Sequence, residues 1–132
     1  MIGLQWWMRV VGVFYVLLFV GVLTRKPITT EGPPGVLEQA AAGDPIARFV
    51  IDTWMTLGLA LFVIGAMLLF CSREPDVAHS LTLTVVALEG AWGIPIDLYK
   101  IGRGYNRSVL SLVVGIHVII VITGVLALRG TA

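Results

Sequence analysis

Charged residues are scarce in this chain of 132 residues. They make up 13% of the sequence, whereas hydrophobic residues make up 58%, and the mean hydropathy is +0.95. A soluble domain has about 25% charged and about 45–50% apolar residues, so this composition is typical of a membrane protein. At this length we expect one integral membrane domain over residues 1–132.

The low charge and the near absence of cysteine exclude several other classes of protein. The net charge is +1, so the chain has no basic field to attract nucleic acid. Cys71 is the single cysteine, which excludes an internal disulfide and a CxxC pair for zinc or redox chemistry. We therefore expect no nucleic-acid partner, no metal centre and no resident cofactor.

Four apolar segments are long enough to cross a membrane. A bilayer core of about 30 Å needs about 20 apolar residues at a rise of about 1.5 Å each. Backbone polar groups must bond within the chain in lipid, so the segments are predicted to be helices, at about 4–24, 46–71, 81–101 and 108–128. The first exceeds a signal-peptide core and lacks a small-residue cleavage site, so it is predicted to be retained.

The connections predict how the helices are arranged. The second and third are short, which favours antiparallel neighbours and an all-α, up-down four-helix membrane bundle. The first connection is longer, and its segment "VLEQAAA" predicts a short helix at the interface, ended by Gly43. Asp44 followed by Pro45 is typical of the start of the second helix.

Lysine and arginine near the helix ends predict the orientation. The first and third connections carry a small excess of them over the opposite side, which places both termini outside the cell. The residues on the first and third connections are Arg25, Lys26, Lys100, Arg103 and Arg107, against Arg9, Arg73 and Arg129 on the other side.

Glu89 and His117 are ionisable residues placed deep within predicted spans. At about 1.5 Å per residue, Glu89 lies about 12 Å into the third helix and His117 about 13 Å into the fourth. These helices enter a core of about 30 Å from opposite faces, so the two side chains differ in height by only about 5 Å. They can therefore meet, and the long side chain of Arg9 can reach Glu89 as well.

Further charges lie near the helix ends. Arg48 and Asp52 are four residues apart and within ion-pair reach on one helix face. Either Arg48 extends to the headgroups and the pair stays at the interface, or Asp52 turns inward and meets the third or fourth helix. The predicted interfacial charges are Arg48, Asp97, Lys100 and Arg103.

Pro95 lies inside the third helix, where it removes one backbone hydrogen bond and predicts a kink. On a regular helix Glu89, Trp92 and Tyr99 share one face. With Trp54 from the second helix, Trp92 and Tyr99 are predicted to line a small cavity.

Arg9, Asp52, Glu89 and His117 form the predicted buried polar cluster, because ionisable groups inside a span need partners. Its role stays open between a polar lock that fixes helix rotation and a site for a ligand or a proton. One histidine with carboxylates at free spacing is a poor metal-ligand pattern. No nucleophile motif is present, so no catalytic residue is assigned.

Small residues predict where helices pack closely. The predicted pairs are Gly58 with Gly65, Gly90 with Gly93, and Ser111 with Gly115.

Three stretches, "WWMRVVGVFYVLLFV", "GDPIARFVIDTW" and "IDLYKIGRGY", resemble the BphX-like family of small bacterial membrane proteins, within the wider DoxX-like group. The resemblance implies four helices in the bacterial cytoplasmic membrane. A DoxX-like relationship would imply a subunit of a quinone-linked oxidoreductase, and any redox cofactor would belong to a partner.

Two functions from different classes follow. The first is a non-enzymatic accessory subunit that packs against a larger membrane oxygenase, oxidoreductase or transporter, or that self-associates. The alternative is a protein that binds or transports a small hydrophobic molecule, such as an aromatic compound, a quinone or a lipid, between its helices. An enzyme that uses Glu89 and His117 as proton carriers ranks third.

Overall fold

A computed structural model describes residues 3–24 and 34–130 of the chain, and the regular structure within these ranges is helical. The elements are α1 (Leu4–Leu23), α2 (Val36–Ala41), α3 (Pro45–Cys71), α4 (Pro75–Leu88), a π-helical wide turn (Glu89–Gly93), α5 (Ile94–Gly102) and α6 (Arg107–Arg129).

Four helical stretches among the described residues are long and apolar enough to cross a membrane. They are α1, α3, the continuous stretch from α4 through the wide turn to α5, and α6. The predicted all-helical membrane fold is confirmed at this level, whereas the up-down order stays a prediction. The third span begins at Pro75 rather than near residue 81, because proline is well suited to the first helical turn and no breaker follows it.

The start of α3 confirms the helix-start signature. The Asp44 side chain accepts a hydrogen bond of 2.7 Å from the Ala47 backbone N–H, and Pro45 occupies the first turn. The short helix predicted in the first connection is α2, and Gly43 follows it with a φ of 99°, a conformation that favours glycine. Its place at the membrane interface stays a prediction.

Glycines bring α1 and α3 into close contact. A Cβ atom added to Gly65 would lie 2.7 Å from the Gly12 carbonyl oxygen, and one on Gly58 would lie 2.7 Å from Val22 Cγ1. The close packing predicted for Gly58 and Gly65 is therefore confirmed. The prediction for Ser111 and Gly115 was wrong, because a Cβ on Gly115 would meet nothing within 4 Å.

The main core is formed where α1 faces α3, α4 and α6. The buried members are Leu4, Trp7, Met8, Val11, Tyr15, Leu68, Ala78, Val85, Val86, Ile120 and Ala127. The orientation signals Arg25 and Lys26 lie outside the described residues.

Candidate functional site

A wide turn changes the direction in which the third span presents its side chains. The Ile94 backbone N–H bonds to the Glu89 carbonyl five residues back, instead of four as in an α-helix. Pro95 follows at once and has no N–H to continue the regular pattern. The sequence predicted a kink here, and the structure has a π-helical turn, an element that often occurs at functional sites.

The wide turn places Glu89 and Asp97 on the same face. Eight residues at about 100° each would leave these two side chains about 80° apart on a regular α-helix. One extra residue in the turn reduces the effective separation to seven positions, or about 20°. Both carboxylates are consequently buried, with 7% of Glu89 and 4% of Asp97 exposed.

Glu89 uses both carboxylate oxygens in the interior. The Tyr15 hydroxyl of α1 donates a hydrogen bond to Glu89 Oε1, and His117 Nδ1 of α6 pairs with Glu89 Oε2. Tyr15 is itself buried, with 3% of the residue exposed. The predicted meeting of Glu89 and His117 is therefore present in the structure.

The contacts continue from His117 toward the end of α5. His117 Nε2 lies 3.2 Å from Asp97 Oδ2, and Lys100 Nζ donates to Asp97 Oδ1 at 2.9 Å. The Lys100 side chain is 30% exposed, so the series ends at a partly open position. Tyr15, Glu89, His117, Asp97 and Lys100 thus form one continuous series of contacts, which we call the polar row.

Proton counting shows that the polar row can be electrically balanced. Each imidazole nitrogen of His117 faces a carboxylate oxygen, so each of the two contacts needs one proton. With two protons shared among Glu89, His117 and Asp97, these three groups carry a charge of −1 in total, which the Lys100 ammonium cancels. Ionisable groups inside a membrane are tolerated when they are paired in this way.

Gly93 makes room for the histidine ring. A Cβ atom on Gly93 would lie 2.9 Å from both Cε1 and Nδ1 of His117. The imidazole therefore rests directly on the backbone of the wide turn. For Gly90, the other predicted member of this pair, a Cβ would make an ordinary contact of 3.6 Å with Val121.

Two residues of the predicted cluster lie elsewhere. Arg9 Nε donates to Ser72 Oγ at 3.4 Å, near the end of α3, and does not join Glu89. Asp52 is exposed on α3 and makes no contact with the polar row. Arg48 bonds instead to the Ala40 carbonyl at 3.2 Å and ties α2 to α3, so no Arg48–Asp52 pair forms among the described residues.

Asp97 and Lys100, predicted as interfacial charges, belong to the polar row, and their place at the membrane interface stays a prediction. Trp92 is 70% and Tyr99 61% exposed, and neither lines the groove between α1 and α6 described below, so their role in a cavity also stays a prediction. The extra residue in the wide turn explains these positions, because it moves the inward face of the third span one position along the chain. Trp54 packs with Ile51 in the small core between α2 and α3. Arg103 is exposed, and its place at the membrane interface stays a prediction.

A groove between α1 and α6 was not predicted. It has a volume of about 560 Å³, and its walls are apolar and aromatic except for Thr123. The signal in the sequence is the helical spacing of Trp6, Val10 and Phe14 on α1. The lining residues are Gly3, Trp6, Trp7, Val10, Val11, Phe14, Ile116, Ile119, Ile120 and Thr123.

These features define a multi-pass helical membrane protein with a buried polar row. The chain belongs to the BphX-like family, whose profile matches residues 1–132. It is 33% identical to an uncharacterised BphX-like protein of Burkholderia cepacia, over 92% of this chain and 88% of the relative. The same values hold for an uncharacterised BphX-like protein of Paraburkholderia xenovorans strain LB400. No solved structure matches the chain.

Proposed function

We propose that this protein is an accessory subunit of the bacterial cytoplasmic membrane that passes protons between one membrane face and the middle of its bundle. The observation that carries the proposal is the continuous series of contacts from Tyr15 to Lys100. Imidazole suits this role because it binds a proton at one nitrogen while it releases another from the second.

The proton steps follow from the order of the contacts. When Glu89 takes the proton at His117 Nδ1, His117 regains one at Nε2 from Asp97, and a proton leaves Glu89 by the reverse of these steps. Asp97 is refilled at the Lys100 end, where the side chain is partly exposed. Tyr15 holds the second oxygen of Glu89 in position by donating its hydroxyl hydrogen.

The polar row opens toward one end only, which supports an accessory role. From Tyr15 toward the start of α1, the neighbouring side chains Val11 and Met8 are apolar and at most 5% exposed. Leu68 and Val85 pack against the same region and are buried to a similar degree. A path that is closed at its inner end does not carry protons across the membrane by itself, which suits an accessory role beside a partner chain.

The proposed bundle is antiparallel, and the order of the contacts supports this. Arg9 lies near Ser72, Gly12 packs on Gly65, and Val22 packs on Gly58. Position numbers rise along α1 as they fall along α3, as expected for neighbours that run in opposite directions. Both termini are proposed to lie outside, with the Lys100 end in the cytoplasm.

A pH-jump experiment followed by infrared spectroscopy tests proton transfer along the polar row. The carbonyl stretch of the buried Glu89 carboxyl, assigned with Glu89→Gln, reports when that group gains or loses a proton. Asp97→Asn should slow this exchange about a hundredfold, the typical contribution of a positioned acid–base group. Asp52→Asn is the matched control, because Asp52 is an exposed carboxylate outside the row.

Folding of each variant is checked by its thermal unfolding. If folded Asp97→Asn exchanges protons at Glu89 as fast as the parent protein, the row carries no proton. It is then a polar lock that only fixes helix rotation.

A second candidate function is the binding or transport of a small hydrophobic molecule. The groove between α1 and α6 supports it, in place of the cavity predicted at Trp54, Trp92 and Tyr99. Its volume of about 560 Å³ is in the range of small-molecule sites, about 300–1,000 Å³. Retention of an apolar probe by the purified protein tests this function.

A further inference from the structure

The floor of the groove between α1 and α6 contains one polar pair. Trp7 Nε1 donates to Thr123 Oγ1 at 3.0 Å, and the Thr123 hydroxyl donates to the Ile119 carbonyl at 2.6 Å. That hydrogen also points toward the Ile120 carbonyl at 3.3 Å. A hydroxyl has one hydrogen to donate and two lone pairs to accept. One lone pair of Thr123 is therefore left for a donor inside the groove.

The walls of the groove favour a flat ligand that arrives from the bilayer. Trp6, Trp7 and Phe14 line the α1 side, and Ile116 and Ile119 line the α6 side. Trp6 is 68% and Ile119 62% exposed, so the groove opens sideways, toward lipid in the proposed arrangement. A molecule that enters by this route must be lipid-soluble, and aromatic rings stack well on tryptophan and phenylalanine.

We infer that the groove binds a lipid-soluble ring compound with one hydroxyl group. The hydroxyl donates to Thr123 Oγ1, and the ring lies among Trp6, Trp7 and Phe14. This inference rests on the second proposed function, the binding of a small hydrophobic molecule. It adds the chemical class of the ligand and the atom that recognises it. A lipid acyl chain matches the apolar walls but has no donor for Thr123.

The test compares para-bromophenol with bromobenzene, which share ring and bromine and differ in the hydroxyl. Bromine quenches indole fluorescence at contact, so binding is read from Trp6 and Trp7 in purified protein held in nanodiscs. Trp54→Phe and Trp92→Phe are introduced beforehand, so that Trp6 and Trp7 alone report. We expect the phenol to quench at lower concentration than bromobenzene.

Substitutions at Thr123 test whether its oxygen recognises the hydroxyl of the phenol. Thr123→Val keeps the shape of the side chain but removes the acceptor that Trp7 Nε1 and the phenol share. It should weaken binding of para-bromophenol about fivefold, as for loss of one neutral hydrogen bond to the ligand. Bromobenzene should bind this variant as it binds the parent, which also shows that the groove is still folded. Thr123→Ser keeps the acceptor and should retain the phenol.

Substitutions on α6 test whether the probes bind in the groove. Ile119→Phe narrows it and should weaken both probes. Ile122→Phe is the matched control, because Ile122 is exposed on the same helix but does not line the groove.

The outcomes distinguish the recognition of a hydroxyl by Thr123 from the binding of small hydrophobic molecules in the groove. Equal affinity for both probes, or equal loss with Thr123→Val, overturns the hydroxyl inference and keeps the groove as a site for apolar molecules. Quenching that Ile119→Phe leaves unchanged overturns both, because bromine then reaches the indoles from the bilayer alone. If unbrominated phenol fails to relieve the quenching by a lipid with a brominated acyl chain, the groove is assigned to lipid and the inference is also overturned.

Discussion

Glu89 and Asp97 approach the same imidazole from its two ring nitrogens, although they are eight residues apart on one helical span. This is possible because the wide turn between them adds one residue to the helix. The same shift exposes Trp92 and Tyr99 and turns Gly93 and Asp97 toward His117 of α6. The geometry of the polar row thus depends on the backbone of five residues, Glu89–Gly93.

Deletion of Ala91 tests this dependence. Removal of one residue from the wide turn should convert it to a regular α-helix and keep Asp97 in phase with Glu89. Pro95→Ala accompanies the deletion, because proline inside a regular helix costs about 3 kcal/mol. We expect a folded protein in which a crosslink between engineered cysteines on α5 and α6 still forms.

Deletion of Ala87 is the control for that experiment. Ala87 lies in the regular part of the third span, so its loss rotates α4 by about 100° relative to α5. The protein should then lose the crosslink or fail to fold. Equal tolerance of the two deletions would show that the wide turn does not set the rotation of α5 relative to α4.

Gly93→Ala should destabilise the protein, because the new Cβ would lie 2.9 Å from the His117 ring. Crowding of this kind costs about 1–3 kcal/mol. Gly115→Ala on α6 is the matched control, since a Cβ there meets nothing within 4 Å. Thermal unfolding in detergent measures the stability of both variants. A loss for Gly115→Ala as large as that for Gly93→Ala would contradict the predicted contact.

His117→Leu should be more damaging than Gly93→Ala. It removes the donor that separates two buried carboxylates, and loss of one partner of a buried ion pair costs about 3–5 kcal/mol. Adding Glu89→Gln and Asp97→Asn to His117→Leu should recover part of that stability, because no uncompensated carboxylate remains. Equilibrium unfolding in mixed micelles gives the values, and an unchanged midpoint in His117→Leu would rule out a paired row.

Purification of the protein from its native membrane in mild detergent tests the accessory role. We expect intact-complex mass spectrometry to find partner chains at fixed stoichiometry. Glu89→Gln should keep them bound, because Glu89 is buried within the chain. A lone chain or homo-oligomer that carries a small apolar molecule would favour the binding function instead.

The presence of the four spans and the start of α3 were predictable because their signals are local. A membrane span is recognised by its length and apolar composition, and the Asp44–Pro45 start by two adjacent residues. The meeting of Glu89 and His117 could also be predicted, since depth in a bilayer follows from counting residues from the helix ends. Arg9 was assigned wrongly by the same counting, because depth does not tell which way a side chain points around the helix.

The amino-acid sequence by itself determined a four-span helical membrane protein with few buried charges. Tertiary structure decided which further groups join Glu89 and His117. The direction of a side chain around a helix axis changes by about 100° for each residue, so one extra residue in the wide turn reassigns a whole face. Tyr15 enters the polar row and Thr123 enters the groove because of how α1 and α6 pack, whereas Asp97 enters the row because of the wide turn.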